Sequence, residues 1–234
     1  MPPLNAIDCW YERSAEPLEQ PKSTYYFLVE GSNTEIWYFS ELFYNISKQR
    51  VNSVFEPVLV ERTGEHDRTA SNPKRLLEYA DVLQKSGVDE YEFDSKLDKI
   101  VFVFDGDIYR NDRDSYFNVL HKMKEIGLVA VTFPAFELFL LLHEKNAFYT
   151  YVEPSKLELY ENKKINKNKK KLDKLFSDSY GFNPKTNEEK TRNIAHNFVE
   201  AAENEKFLNQ DEERCLDALT SNVGYLVNNI INVK

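Results

Sequence analysis

The 234 residues, 41% hydrophobic and 14% aromatic with only 7 glycines and 9 prolines, suffice to bury a real core and argue against long linkers. A net charge of −9, from 30 basic and 39 acidic side chains, excludes a simple basic nucleic-acid coat protein. It does not exclude a nucleic-acid enzyme, because acidic metal ligands count as negative until a cation binds. The only cysteines, Cys9 and Cys215, lie far apart without CxxC spacing, which argues against a zinc ribbon and a disulfide framework, and a reducing cytosol fits.

Residues 1–22 carry four prolines and no clear period, and read as a loosely ordered leader with Trp10 and Tyr11 docking on the body. Met1–Asp8 lacks the basic start and apolar core of a signal peptide. Thr24–Val29 is a strand candidate. Ser32 and Glu35 then have capping-box spacing, opening a helix to about Lys48 that buries Ile36, Phe39, Leu42, Phe43 and Ile46. Phe55–Val60 is a second strand whose Pro57 suggests an edge. Asn72-Pro73 starts a helix that Gly87 stops, and His66 lies in the loop between.

Ile100–Phe104, an unbroken β-branched and aromatic run, is the third strand, buried on both faces of a parallel sheet. Asp114–Ile126 is a helix ended by Gly127, with His121 on its solvated side, and Leu128–Phe133 a fourth strand. Phe136–His143 is an apolar helix, and this longest apolar run is too short to span a membrane. A soluble, cytoplasmic protein is expected.

Strand and helix alternate from residue 24 to about 145, the pattern of βα units with a parallel sheet. Past residue 150 only helices are expected. One, opening at Thr186–Glu189, runs long with Ile194, Phe198 and Ala201 on one face, and one or two more close the chain. The expected organisation is a leader (1–22), an α/β domain (23–152) and a helical C-terminal region with a lysine-rich segment (153–234).

Asp105-Gly106-Asp107 ends the third strand where open α/β sheets place their ligands. If the segment stays extended, both carboxylates point one way and share a hard cation. The plainer reading is a turn, with Asn111 or Asp112 capping the next helix. Glu30 also follows an apolar strand, and the C-terminal ends of parallel strands share one edge, so Glu30, Asp105 and Asp107 are expected to converge. With few lysines nearby they would repel one another unless a divalent cation such as Mg²⁺ or Mn²⁺ lies among them. Such ions serve phosphoryl-transfer chemistry.

Glu137 sits early in an apolar helix, where an unpaired buried carboxylate costs several kcal/mol and needs a partner or a metal. A helix N-terminal position favoured by the dipole is the plainer reading. His143, six residues on and about 600° around the helix, is not on the same face. It is either a helix-end histidine satisfied by the last carbonyls or a phosphate contact. Lys163–Lys174 holds seven lysines and one aspartate, +6 within a total of −9. Lys163, Lys164, Lys167, Lys169, Lys170 and Lys171 read either as a phosphate-binding footprint or as a solvated helix face or arm.

Val29-Glu-Gly-Ser-Asn-Thr-Glu-Ile-Trp-Tyr38 resembles the EG-x-x-TE-x-x-YF start of RloB-like proteins, and Phe102–Asp107 resembles their DxD strand. Phe133-Pro-Ala-Phe-Glu137 through His143 is similar to their NP-x-FE-x-W-x-x-x-H helix. Thr220–Val227 is loosely similar to their NPST-x-V-x-x-LV. Phe133 and Phe139 depart from the usual asparagine and tryptophan, which bears on the pocket near that helix, and the C-terminal proline is missing.

The resemblance implies a Toprim-like, Rossmann-like α/β fold with a helical C-terminal extension. It also implies Mg²⁺ held by Glu30, Asp105 and Asp107, with Glu30 an acid–base or metal-binding residue. Glu35 matches the second family glutamate, and the family match favours a functional Glu137. The implied activity is metal-dependent cleavage of DNA or RNA phosphodiesters (tRNA among the candidates) as a bacterial defence effector, with an ABC-type ATPase as partner. A homo-oligomer is left open. The alternative is a non-catalytic or regulatory subunit of such an ATPase complex. A glycosyltransferase DxD site is disfavoured by the short βα region and by the partner Glu30-Gly31. A dehalogenase-type phosphatase is disfavoured by Tyr109 in place of threonine or valine.

Overall fold

The computed structural model describes residues 23–49, 55–60, 73–86, 92–167 and 169–232. The expected leader with Trp10 and Tyr11, His66, Asn72 and Gly87 lie outside them. Strands β1 (Ser23–Val29), β2 (Phe55–Leu59), β3 (Lys99–Asp105) and β4 (Leu128–Phe133) alternate with helices α1 (Thr34–Gln49), α2 (Pro73–Ser86) and α3 (Arg113–Ile126). The strands are parallel in the order β2-β1-β3-β4. Chain direction across the sheet therefore reverses between β1 and β3, the switch point outside which open α/β sheets bind ligands.

The four expected strands and the three helices between them are present, and the fold is mixed α/β and Rossmann-like. Among the described residues the Pro57 strand is an edge, where a residue without an N–H leaves no ladder bond unmade. Ile100–Phe104 is buried on both faces. Phe27, Val29, Val101 and Val103 pack under α1, while Tyr26, Leu28, Phe102 and Phe104 pack under α2 and α3. Asp112 caps α3 by accepting from the Ser115 N–H. Gly127, at the end of α3, is held close to β3: a Cβ there would stand 2.3 Å from the Ile100 carbonyl oxygen.

The C-terminal half departs from the all-helical expectation. After α4 (Glu137–Leu141), a π-helical turn (Phe148–Val152) and α5 (Lys156–Glu161) comes a hairpin, β5 (Lys164–Asn166) with β6 (Lys169–Lys170). The expected apolar helix thus gives way to turns after Leu141. Next are α6 (Lys171–Tyr180), α7 (Glu188–Ile194) and α8 (Phe198–Glu205). The single long helix expected from Thr186 is broken by a 3₁₀ turn, Ala195–Asn197, although Ile194, Phe198 and Ala201 are buried as expected.

Strand β7 (Thr220–Ser221) joins the sheet antiparallel to β4, before α9 (Val223–Ile231). The Asn222 side chain extends this pairing: its Oδ1 accepts from the Val131 N–H at 2.7 Å and its Nδ2 donates to the Val129 carbonyl at 3.0 Å. Ile194, Phe198, Val223 and Val227 share one core with Phe27 and Tyr38, so the C-terminal elements complete the first face of the sheet.

Candidate active site

Glu30 and Asp105 follow or end neighbouring strands at the switch point. The Glu30 N–H donates to the Val103 carbonyl (2.9 Å), and Glu30 Oε2 accepts from the Asp105 N–H (3.0 Å). Glu30 is only 7% exposed. Asp105 also accepts from the Thr132 hydroxyl, which β4 holds directly opposite it in register. Thr132 is the one polar residue in Leu128–Phe133, and that lone hydroxyl is its only mark in the sequence.

Glu30, Glu35, Asp105, Asp107 and Glu137 all line one cleft of about 560 Å³. Burial, then the charges of Glu35, Glu30 and Glu137, hold the Asp105 carboxyl well above the usual range, against the pull of the Thr132 hydrogen bond. Burial and the Glu137 charge raise Glu35 to about 7. Four of the acidic side chains therefore interact within one cleft.

The capping box is not formed. Helix α1 begins at Thr34, and it is the Asn33 carbonyl that accepts from Trp37 N–H, which moves the cap past Ser32. The Glu35 carboxylate bonds its own backbone N–H and lies over Gly31, where a Cβ would stand 1.8 Å from Oε2. The glycine after Glu30 thus makes room for a second carboxylate.

Asp107 does not point with Asp105 along an extended segment. Gly106 is right-handed helical and Asp107 opens a 3₁₀ turn, Asp107–Tyr109. Its Oδ2 instead meets Lys170 Nζ at 2.5 Å. Nor is the cleft short of lysines. Glu137, 4% exposed at the first turn of α4, pairs with Lys185 at 3.0 Å, and Lys185 also reaches Asp173 at 3.0 Å. Glu137 thus has the partner that its burial demands. Lys185 comes from the turn between α6 and α7, and nothing local in the sequence marks it.

Of the lysine tract, Lys164, Lys167, Lys169 and Lys170 line the cleft, carried there by the β5-β6 hairpin rather than a helix face. Asn162, in the left-handed region at φ 43°, ends α5, and its side chain accepts from the Leu172 N–H (3.0 Å), which closes the base of the hairpin. Lys163 and Lys171 turn away to Glu161 and Glu158.

His143 is not at the cleft. It is 1% exposed; Tyr38 donates to Nε2 at 2.8 Å, and Nδ1 faces the Phe139 and Leu140 carbonyls. The helix-end reading holds and the phosphate contact does not. Phe133 and Phe139, the departures from the family motif, are also buried away from the cleft. Phe133 lies under Arg110, and Phe139 packs on Tyr38 and His143. Among the described residues, no three Asp, Glu, His or Cys side chains are grouped so as to hold a metal ion as they stand. No described helix is long and apolar enough to cross a membrane.

Neither the curated proteins nor the solved structures give a significant match to the chain. A family model described as RloB-like protein matches residues 25–230, from β1 into α9 and through every acidic residue of the cleft. The chain belongs to the RloB-like protein family.

Proposed function

We propose that the chain is a divalent-cation-dependent nuclease of Toprim type that hydrolyses nucleic-acid phosphodiester bonds, acting as a defence effector. The observation that carries this reading is the gathering of Glu30, Glu35, Asp105 and Glu137 in one cleft at the β1/β3 switch point, with Asp105 and Glu35 held above their usual ranges. The donors fit Mg²⁺ or Mn²⁺ by chemistry: all are carboxylate oxygens, and their mutual repulsion is what a hard cation relieves. Glu30, Asp105 and Glu35 would hold it, with Asp107 joining once it leaves Lys170. When bound, the cation supplies water activation and stabilises the departing oxygen.

The chain's own groups do the rest. The Glu30 carboxylate and the Thr132 hydroxyl fix Asp105 from two sides. Lysines of the hairpin face the cleft, where they attract phosphate. Purified protein incubated with tRNA, single-stranded DNA or duplex DNA tests the reading. Cleavage that needs Mg²⁺ or Mn²⁺ and is lost in Asp105→Asn is the expected result. Equal cleavage by Asp105→Asn, or none by wild type with any of the substrates, would overturn it in favour of a non-catalytic subunit docked on an ABC-type ATPase.

A further inference from the structure

The lysines around the cleft fall into two sets. Lys163, Lys170, Lys171 and Lys185 each hold a carboxylate. Lys164, Lys167 and Lys169 line the cleft and form no ion pair among the described residues, although Lys169 lies near enough to Asp178 to act on its charge. All three sit on one short hairpin and line the same cleft, so three like charges face it beside carboxylates that pair with other lysines. An anion between them would relieve that repulsion.

A second cavity of about 540 Å³ adjoins the first and shares Lys167, Lys169, Asp173 and Lys185 with it. Asn166, Ser177 and Asn183 add polar side chains to its wall. The Asp173 charge is only partly offset: Oδ1 accepts from Lys185 Nζ (3.0 Å), an ammonium it shares with Glu137, and Oδ2 accepts from the Lys170 N–H (2.8 Å). The path thus leads from an acidic floor, past unpaired ammonium groups, into a polar trough.

We infer that this trough is a second phosphate subsite: Lys167 and Lys169 hold a backbone phosphate of a single-stranded nucleic acid next to the phosphodiester over the acidic floor, with Lys164 at the inner rim. Each cavity is the size of a small-molecule pocket. That suits one or two nucleotides of a single strand and not a duplex, whose major groove alone is about 12 Å wide. The assignment rests on the phosphodiester reading of the acidic floor, but strand binding does not require cleavage.

Fluorescence anisotropy on the full chain in EDTA tests it, with a labelled 12-nucleotide single strand as probe and its duplex form and ATP as comparisons. The single strand is expected to bind more tightly than either. Lys167→Gln/Lys169→Gln should weaken it about tenfold and flatten the plot of log affinity against log salt by about 1.4, two contacts at about 0.7 each. Lys163→Gln/Lys171→Gln, with equal charge removed outside the cleft, should stay within about twofold of wild type. The subsite is overturned if wild type does not bind the strand, if both double variants behave alike, or if duplex or ATP binds as tightly. Strand binding with this variant pattern in a protein that cleaves nothing would refute the nuclease and keep the subsite. Cleavage with wild-type binding in Lys167→Gln/Lys169→Gln would refute the subsite alone.

Discussion

Lys170 Nζ stands 2.5 Å from Asp107 Oδ2, across 63 residues of chain, and ties the lysine hairpin to the end of the third strand. The link continues through the backbone: the Lys170 N–H donates to Asp173, Asp173 accepts from Lys185, and Lys185 reaches Glu137. Two ammonium groups thus neutralise two of the cleft's carboxylates, and a divalent cation recruiting Asp107 must compete with one of them.

Lys170→Gln should therefore tighten Mn²⁺ binding. The Lys170 side chain is 41% exposed, so the pair is screened and worth at most about 1 kcal/mol, an affinity gain of up to about fivefold. Isothermal titration of Mn²⁺ into wild type and variant measures this. Unchanged or weaker binding would contradict the competition.

Glu205 anchors the C-terminal helix. It is fully buried and accepts from the Ser221 hydroxyl (2.6 Å), the Gly224 N–H (3.0 Å) and the Tyr225 N–H (2.7 Å). Glu205→Ala would leave two backbone donors of α9 and a hydroxyl without their acceptor, at about 1–3 kcal/mol for each group left unmatched. A loss of about 3 kcal/mol should lower the melting temperature by about 6–12 °C. Glu205→Gln, which keeps an accepting oxygen, should lose less.

His143 sets a pH dependence of stability. Burial lowers its pKa to about 3, against the Leu140 and Phe139 carbonyls, which favour the charged ring. The fold therefore prefers the neutral ring. This contribution is fully present above the ordinary value of about 6.5 and is lost as pH falls from there toward 3, at up to about 1.4 kcal/mol per pH unit. Denaturation of wild type and His143→Gln at pH 4 and pH 6 checks it: the wild type should lose more stability between the two.

The parallel strands were legible because a buried apolar run and the turn after it are local signals; Leu128–Phe133 is a strand over that very range. Glu30 and Asp105 were legible for the same reason, since strand order brings the ends of β1 and β3 together. What was not legible depends on distant residues. Lys170 and Lys185 find their carboxylates through folding and not through spacing, so a cleft expected to be poor in lysine is lined by them. Strand β7 is two residues long and exists because β4 offers an edge and Asn222 bonds to it. The shared direction assumed for Asp105 and Asp107 required extended backbone at Gly106, which instead turns into a 3₁₀ helix.

The most direct measurement is anomalous diffraction from crystals grown with Mn²⁺. An ion bound by Glu30 and Asp105, with Asp107 turned from Lys170 toward it, is the expected result. Crystals in which the Lys170–Asp107 pair persists and no ion touches Glu30 or Asp105 would contradict it.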